Sequence, residues 1–225
     1  MYNILIAFIG LFSTLIIEYI IHSIIIKLNI KEKAIYFLLH SIFNFCVVFI
    51  TFEDALYSLK YPTKSLSKLY IDSAVITTGC ISGFHIYHML FFKINNIEDW
   101  IHHIVSCLFV PLIGVLCPFG YVLSLCNIIM CGIPGGIDYF LLVLVKYKKI
   151  EKITEKKINR YLNLFIRYPI MYLCCYIFLI SYINSNKEFS LLQLFIMFTG
   201  TLLHLLNSAY YCDKVIGNYH LLYSN

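Results

Sequence analysis

The sequence predicts an all-α, multi-pass membrane protein, with about seven transmembrane helices around a polar cavity open to the cytosolic side. Three observations predict it: too little charge for a water-soluble globule, a succession of apolar runs of spanning length, and polar residues gathered at one depth. Of the 225 residues, 60% are hydrophobic and 13% charged, whereas a soluble domain is about a quarter charged and under half apolar. Aromatic residues reach 17%, which suits helices that meet lipid and headgroups.

A span needs about 20 mainly apolar residues, and the runs fall near 4–26, 34–52, 69–92, 100–116, 119–145, 160–183 and 189–211. The first run exceeds a signal-peptide core of about 7–15 residues and has no basic segment before it, so it reads as a retained span. The fourth is short, and Cys117-Pro118-Phe119-Gly120 reads as the turn after it. Within the fifth, Pro134-Gly135-Gly136 predicts a break just before Asp138, because proline and glycine disfavour continuous helix. The longest hydrophilic stretch, 146–157 (KYKKIEKITEKK), reads as a loop before the sixth span. No linker, low-complexity tract or internal repeat interrupts the chain, which therefore reads as one membrane domain.

Nine cysteines occur, most of them inside apolar runs and none in a CxxC pair. They read as small hydrophobes, without a disulfide framework or a zinc site. The net charge of +5 sits mostly in loops. It bears on orientation, and no nucleic-acid-binding signature accompanies it. One side carries Lys27, Lys31, Lys33, Lys93, Lys146, Lys148, Lys149, Lys152, Lys156, Lys157, Arg160 and Lys214; the other carries Lys60, Lys64, Lys68 and Lys187. The positive-inside rule makes the richer side cytosolic, with the N-terminus lumenal and the C-terminus cytosolic.

With that topology, Glu18, His22, His40, Asn44, His85, His88, His102, His103, Asp138, Arg167 and His204 fall in the cytosolic half, most within roughly 15 Å of the interface at 1.5 Å per residue. A charged residue deep in a span costs roughly 2.5–3.5 kcal/mol on insertion scales, so such groups face the bundle interior and find partners. Glu18 with His22, His40 with Asn44, and His85 with His88 share helix faces. Asp138 and Arg167, opposite in sign and similar in depth, are expected to pair. A single intramembrane histidine is ordinarily an interhelical hydrogen-bonding group. Convergence from six or seven spans points instead to a cavity.

The segment Asp99-Trp100-Ile101-His102-His103-Ile104-Val105-Ser106 resembles the paired-histidine motif of the TLC-domain family, which includes the ceramide synthases. His40-Ser41 in an early span, the stretch 134–140 (PGGIDYF) ahead of a basic loop, and Arg167 in the next span are similar to features of small family members. Asp138-Tyr139 resembles the second aspartate of the ceramide synthase signature. The resemblance covers roughly residues 35–215 and divides the chain into an extra N-terminal helix and loop (1–33), a TLC-like six-helix domain (34–215) and a short cytosolic tail (216–225). The pattern departs at Gly135, where ceramide synthases carry another aspartate, at Gly83-Phe84-His85, where small members often have an acidic residue, and at Met130, where they tend to have glutamate.

The resemblance implies an endoplasmic reticulum protein of membrane lipid metabolism that joins a fatty acyl-CoA to a sphingoid-type long-chain amine. It implies catalytic roles for His102, His103 and Asp138 and substrate binding by His40, His85 and Arg167, with acyl-CoA as co-substrate and neither metal nor resident cofactor. The residues suit that chemistry. Imidazole titrates near neutrality and serves as base or nucleophile. Adjacent histidines on a helix point about 100° apart, so one faces a cavity while the other orients it. Two rival readings remain. A di-iron lipid oxidase needs more closely spaced histidine boxes than His85-x-x-His88 and His102-His103 supply. A non-catalytic TLC-domain protein controlling membrane lipid composition needs no turnover at all.

Overall fold

The computed structural model describes residues 2–94, 96–101, 103–104 and 110–224, with backbone alone at Lys33, Asp99 and Val110. The described residues form helices and no strand. In chain order these are α1 (Tyr2–Lys27), α2 (Glu32–Lys60), α3 (Asp72–Phe91), α4 (Ile97–Ile101), α5 (Val110–Leu116), α6 (Val122–Asn127), α7 (Ile133–Lys146), α8 (Lys152–Leu162), α9 (Tyr168–Ile183) and α10 (Leu191–Tyr223). Among the described residues six helices are long and apolar enough to cross a membrane: α1, α2, α3, the continuous run α6–α7, the continuous run α8–α9, and α10. The outward faces carry Phe8, Phe12, Phe49, Leu112, Tyr176 and Leu206. So much exposed apolar surface suits lipid and would be an aggregation hazard in water. The fourth expected span, 100–116, is met by α4 and α5, neither long enough to cross alone; Val105–Phe109 between them lie outside the described residues.

Two π-helical turns explain how the long helices run through their prolines. Ile128–Gly132 joins α6 to α7, and Asn163–Arg167 joins α8 to α9. The N–H of Ile133 reaches back five residues to the Ile128 carbonyl, and that of Tyr168 reaches Asn163. Pro134 and Pro169 follow at once, each in the first turn of the next helix. A proline has no N–H and its ring collides with the carbonyl four residues earlier. Widening the turn ahead of it moves that carbonyl aside. The break expected before Asp138 is therefore absent: the helix continues through Pro134-Gly135-Gly136, and the wide turn replaces the break.

Two further expectations change. Only Tyr147–Glu151 of the hydrophilic stretch is a turn, and helix resumes at Lys152. An amphipathic face that buries Glu155, Asn159 and Leu162 draws this lysine-rich segment into helix. At the other terminus α10 does not stop near 211 but runs 33 residues to Tyr223, about 50 Å, which exceeds a hydrocarbon core of about 30 Å. Its start is fixed by a reciprocal capping box between Ser190 and Gln193.

Helix α1 packs mainly on α3. Carbonyl oxygens of Ala7 and Leu11 in α1 lie where a Cβ of Gly79 or Gly83 in α3 would stand, so only glycine lets the two backbones approach this closely. One apolar cluster, including Ile25, Leu39, Phe43, Val47, Phe84 and Tyr87, joins α1, α2 and α3. A second, including Leu66, Ala74, Phe119, Ile128, Met171, Phe178 and Met197, joins the opposite ends of α2 and α3 to α6, α9 and α10. Basic residues mark the end of the bundle near the first cluster. Lys31 Nζ sits 4.8 Å from the Tyr147 ring centre, Lys146 Nζ 5.4 Å from that of Phe37, and Lys214 pairs with Glu98.

Candidate functional site

Between the two clusters lies a cavity of about 520 Å³ bounded by α2, α3, α5, α6–α7, α8–α9 and α10. Its wall includes His40 and Asn44 from α2, His85 from α3, Asn127 from α6, Asp138 and Tyr139 from α7, Arg167, and His204 from α10. His40, His85, Asp138 and Arg167, singled out in the sequence, thus share one cavity. His103 stands beside them: its Nδ1 is 3.1 Å from His85 Nδ1, so one imidazole donates to the other. His102 and Ser106 lie outside the described residues, as does the side chain of Asp99.

The helix pattern places the histidines. His85 and His88 are three apart on α3, and His40 faces them from α2. The His40 ring lies 4.0 Å from His88, 4.1 Å from Tyr139 on which it stacks, and 4.3 Å from Tyr36. Its Nδ1 is 3.0 Å from the Tyr36 carbonyl. His88 is fully buried, and neither ring nitrogen has a hydrogen-bond partner. It packs among aromatic rings, with Phe84 at 4.1 Å. The nitrogens do not converge on one point: among the described residues no group of three or more His, Cys, Asp or Glu is arranged to hold a metal ion. His22, on α1, is 2.7 Å from the Tyr87 hydroxyl and stacks on Phe92. His204 Nδ1 is 2.8 Å from the Gly200 carbonyl one turn back.

The wide turn of α6–α7 is fastened to α2. Ser41 Oγ donates to the Gly136 carbonyl at 3.0 Å. A Cβ at Gly135 would stand 2.6 Å from Asn44 Nδ2. A side chain there would displace Asn44, which itself lines the cavity.

The charged residues differ from expectation. Asp138 and Arg167 do not form an ion pair; the pairs among the described residues are Lys156 with Glu155 and Lys214 with Glu98. The Arg167 Nη1 donates to Asn163 Oδ1 at 2.9 Å, and its Nε is buried without a partner. Asp138 Oδ1 is buried without a hydrogen-bond partner, and the Glu155 carboxyl is nearby. Two causes account for this. Asn163 lies one turn before Arg167 on the same helix and captures the guanidinium. Glu155, hidden in a stretch that reads as solvated, is fully buried on the inner face of α8. Sequence reasoning missed Glu155, Asn159 and Asn163; the signal was their spacing of four, which continues to Arg167 and puts all four on one helix face.

Compared with protein-family models, with curated proteins and with solved structures, the chain matches none.

Proposed function

We propose that the chain is an endoplasmic reticulum protein of membrane lipid metabolism, a TLC-domain-like N-acyltransferase that joins a fatty acyl-CoA to a long-chain amine. The observation that carries this reading is the convergence of His40, His85, Asp138 and Arg167 on one intramembrane cavity, with His103 hydrogen-bonded to His85. The cavity volume lies in the range of about 300–1,000 Å³ usual for small-molecule sites. The orientation set by the basic loops brings its histidine side toward the cytosol, where acyl-CoA arrives.

Asp138 draws the amine toward the cavity, and an imidazole of the His85–His103 pair takes a proton from its nitrogen. The nitrogen bonds to the thioester carbonyl carbon while the carbon–sulfur bond breaks. Coenzyme A leaves as the thiol, its sulfur taking that proton back from the imidazolium. Arg167, with its Nε unpaired, faces the oxyanion that forms on the carbonyl oxygen. The test is amide formation by purified protein in nanodiscs, followed by mass spectrometry across acyl-CoA and long-chain amine panels. His85→Ala and His103→Ala should each lower the rate by about two orders of magnitude, with yield and cavity binding retained. Undiminished amide formation in the double variant would refute the catalytic role of the pair.

A second reading, control of membrane lipid composition without turnover, draws support from Gly135. The Asn44 amide stands where a side chain at Gly135 would begin, so the acidic residue of the ceramide synthase pattern would have to displace it. Binding of long-chain amine or acyl-CoA by a wild type that forms no amide would favour this reading.

A further inference from the structure

Arg160 takes no part in the acyl-transfer scheme. It follows Asn159, which lines the cavity, and so stands about 100° round α8 from it. Its guanidinium carbon lies 4.5 Å from the ring centre of Tyr219 on α10 and 4.8 Å from that of Tyr161. Tyr219 is buried and stacks in turn on Tyr223 at 5.8 Å. The rings hold the cation in place without neutralising it. The ion pairs among the described residues are Lys156 with Glu155 and Lys214 with Glu98, so no carboxylate serves Arg160. Its Nε is buried without a hydrogen-bond partner, and its two Nη nitrogens donate to nothing among the described residues. A guanidinium fixed by its surroundings, with open donors, is a fork for two oxygens of one phosphate.

Depth puts this fork at the membrane surface. α8 and α9 run as one span from Lys152 to Ile183. Counted back from Ile183, about 20 residues cross a hydrocarbon core of about 30 Å, which brings its boundary close to Leu164. Arg160 stands about 6 Å beyond, within a headgroup layer of about 5–7 Å. The outward face of α8 has the polarity of a lipid. Lys157, Tyr161 and Phe165 follow one another at a spacing of four, all exposed. Tyr161 stacks on Phe165 at 5.9 Å, and Leu164 is exposed beside them. A cation thus heads the row, and apolar groups follow it into the bilayer. Lys152, Lys156, Lys157 and Arg160 outnumber Glu151 and Glu155 at this end of the helix, and Glu155 is turned inward and buried.

We propose that Arg160, with Lys157 and Tyr219, is a binding site for the headgroup of an anionic glycerophospholipid in the leaflet at the basic end of the bundle. Arg160 donates to two oxygens of the phosphate. Lys157 answers the further negative charge of the headgroup, and an acyl chain lies along Tyr161, Leu164 and Phe165. Because the rings already fix the guanidinium, little freedom is lost on binding. A free surface lysine loses most of its rotamers at each encounter, which separates a site from the general attraction of basic loops for a charged leaflet. The site is independent of acyl transfer: Asn159 turns one face of α8 to the cavity, and Arg160 and Lys157 turn another to the bilayer.

The test is lipid binding by the full chain in detergent, read by native mass spectrometry at about 0.15 M salt. The probes are phosphatidylserine and phosphatidylcholine with identical chains. The wild type should bind one phosphatidylserine about tenfold or more tightly than phosphatidylcholine. Arg160→Gln should abolish that preference, and Arg160→Lys should restore only a small part of it, because an ammonium cannot present the fork. Lys157→Gln, at an exposed position, should weaken phosphatidylserine about fivefold. Lys149→Gln removes the same charge about 12 Å or more from Arg160, beyond a Debye length of about 8 Å, and should leave binding unchanged. A wild type without preference would overturn the site, as would equal losses in Lys149→Gln and Arg160→Gln, which would leave only the attraction of net charge. Displacement of phosphatidylserine by equimolar soluble glycerophosphoserine or coenzyme A would overturn the lipid as occupant and give the fork to a free phosphate. If Arg160→Gln lowers folded yield, the contrast between Lys157→Gln and Lys149→Gln decides.

Discussion

Replacing Gly83 by leucine tests whether α1 is held by backbone approach. An ideal Cβ at Gly83 lies 3.0 Å from Leu11 Cα and 3.1 Å from Leu11 C, with the Leu11 carbonyl oxygen closer still. The obstacle is backbone, so no rotamer change relieves it, and the helix axes must part by roughly an ångström. A gap of 0.5–1 Å forfeits about a quarter to a half of each van der Waals contact along the seam. Overpacking of this kind costs about 1–3 kcal/mol, more for leucine than for alanine. At about 1.4 kcal/mol per tenfold change, 2 kcal/mol raises the population with α1 displaced roughly thirtyfold. Cys80 reports that population. It lies next to Gly79 on α3 and is partly buried, and Gly10 of α1 would place a Cβ 3.2 Å from its backbone nitrogen. Maleimide labelling in detergent, read site by site by mass spectrometry, should show Cys80 reacting about thirtyfold faster in Gly83→Leu, with fully buried Cys174 unchanged. Equal Cys80 rates in wild type and variant, at equal thermal midpoint, would refute the reasoning.

Two other expectations concern topology and the wide turn. A cysteine placed at Lys148, in the turn between α7 and α8, should react with an impermeant reagent from the cytosolic side of sealed microsomes only; labelling from the lumenal side would invert the orientation. Gly135→Asp should lower folded yield, at a cost of about 1–3 kcal/mol from crowding Asn44, and Asn44→Ala should restore most of it because the clash is with the end of that side chain. A Gly135→Asp variant that folds normally would show that the space is not needed.

The spans were legible because length and hydropathy dominate the free energy of a helix in lipid. The shared depth of His40, His85, Asp138 and Arg167 was legible because it needs only counting along each span. Glu155 was not. In KYKKIEKITEKK it is one carboxylate among lysines, and its burial depends on which face of α8 meets α7. The partner of Arg167 was hidden for a related reason: charge alone suggested Asp138, whereas geometry gave the guanidinium to Asn163 within its own helix. Pro134 announced an irregularity correctly. Whether a helix answers a proline by breaking or by widening depends on whether tertiary contacts, here Ser41 with the Gly136 carbonyl, hold the two halves in line.

A π turn holds one residue more than the α-helical path it replaces, so it acts as an insertion that leaves no loop behind. Removing one residue from Ile128–Gly132 would restore ordinary helical winding and leave everything after it close to its present phase. Asp138 and Tyr139 would stay on the cavity wall, while the carbonyl four residues before Pro134 would meet its ring. The same arithmetic applies to Asn163–Arg167, where Arg167 itself closes the turn. The register of the candidate site is thus buffered in helix phase: a single-codon deletion is absorbed where the turn is wide and rotates the chain beyond it by about 100° where the helix is regular.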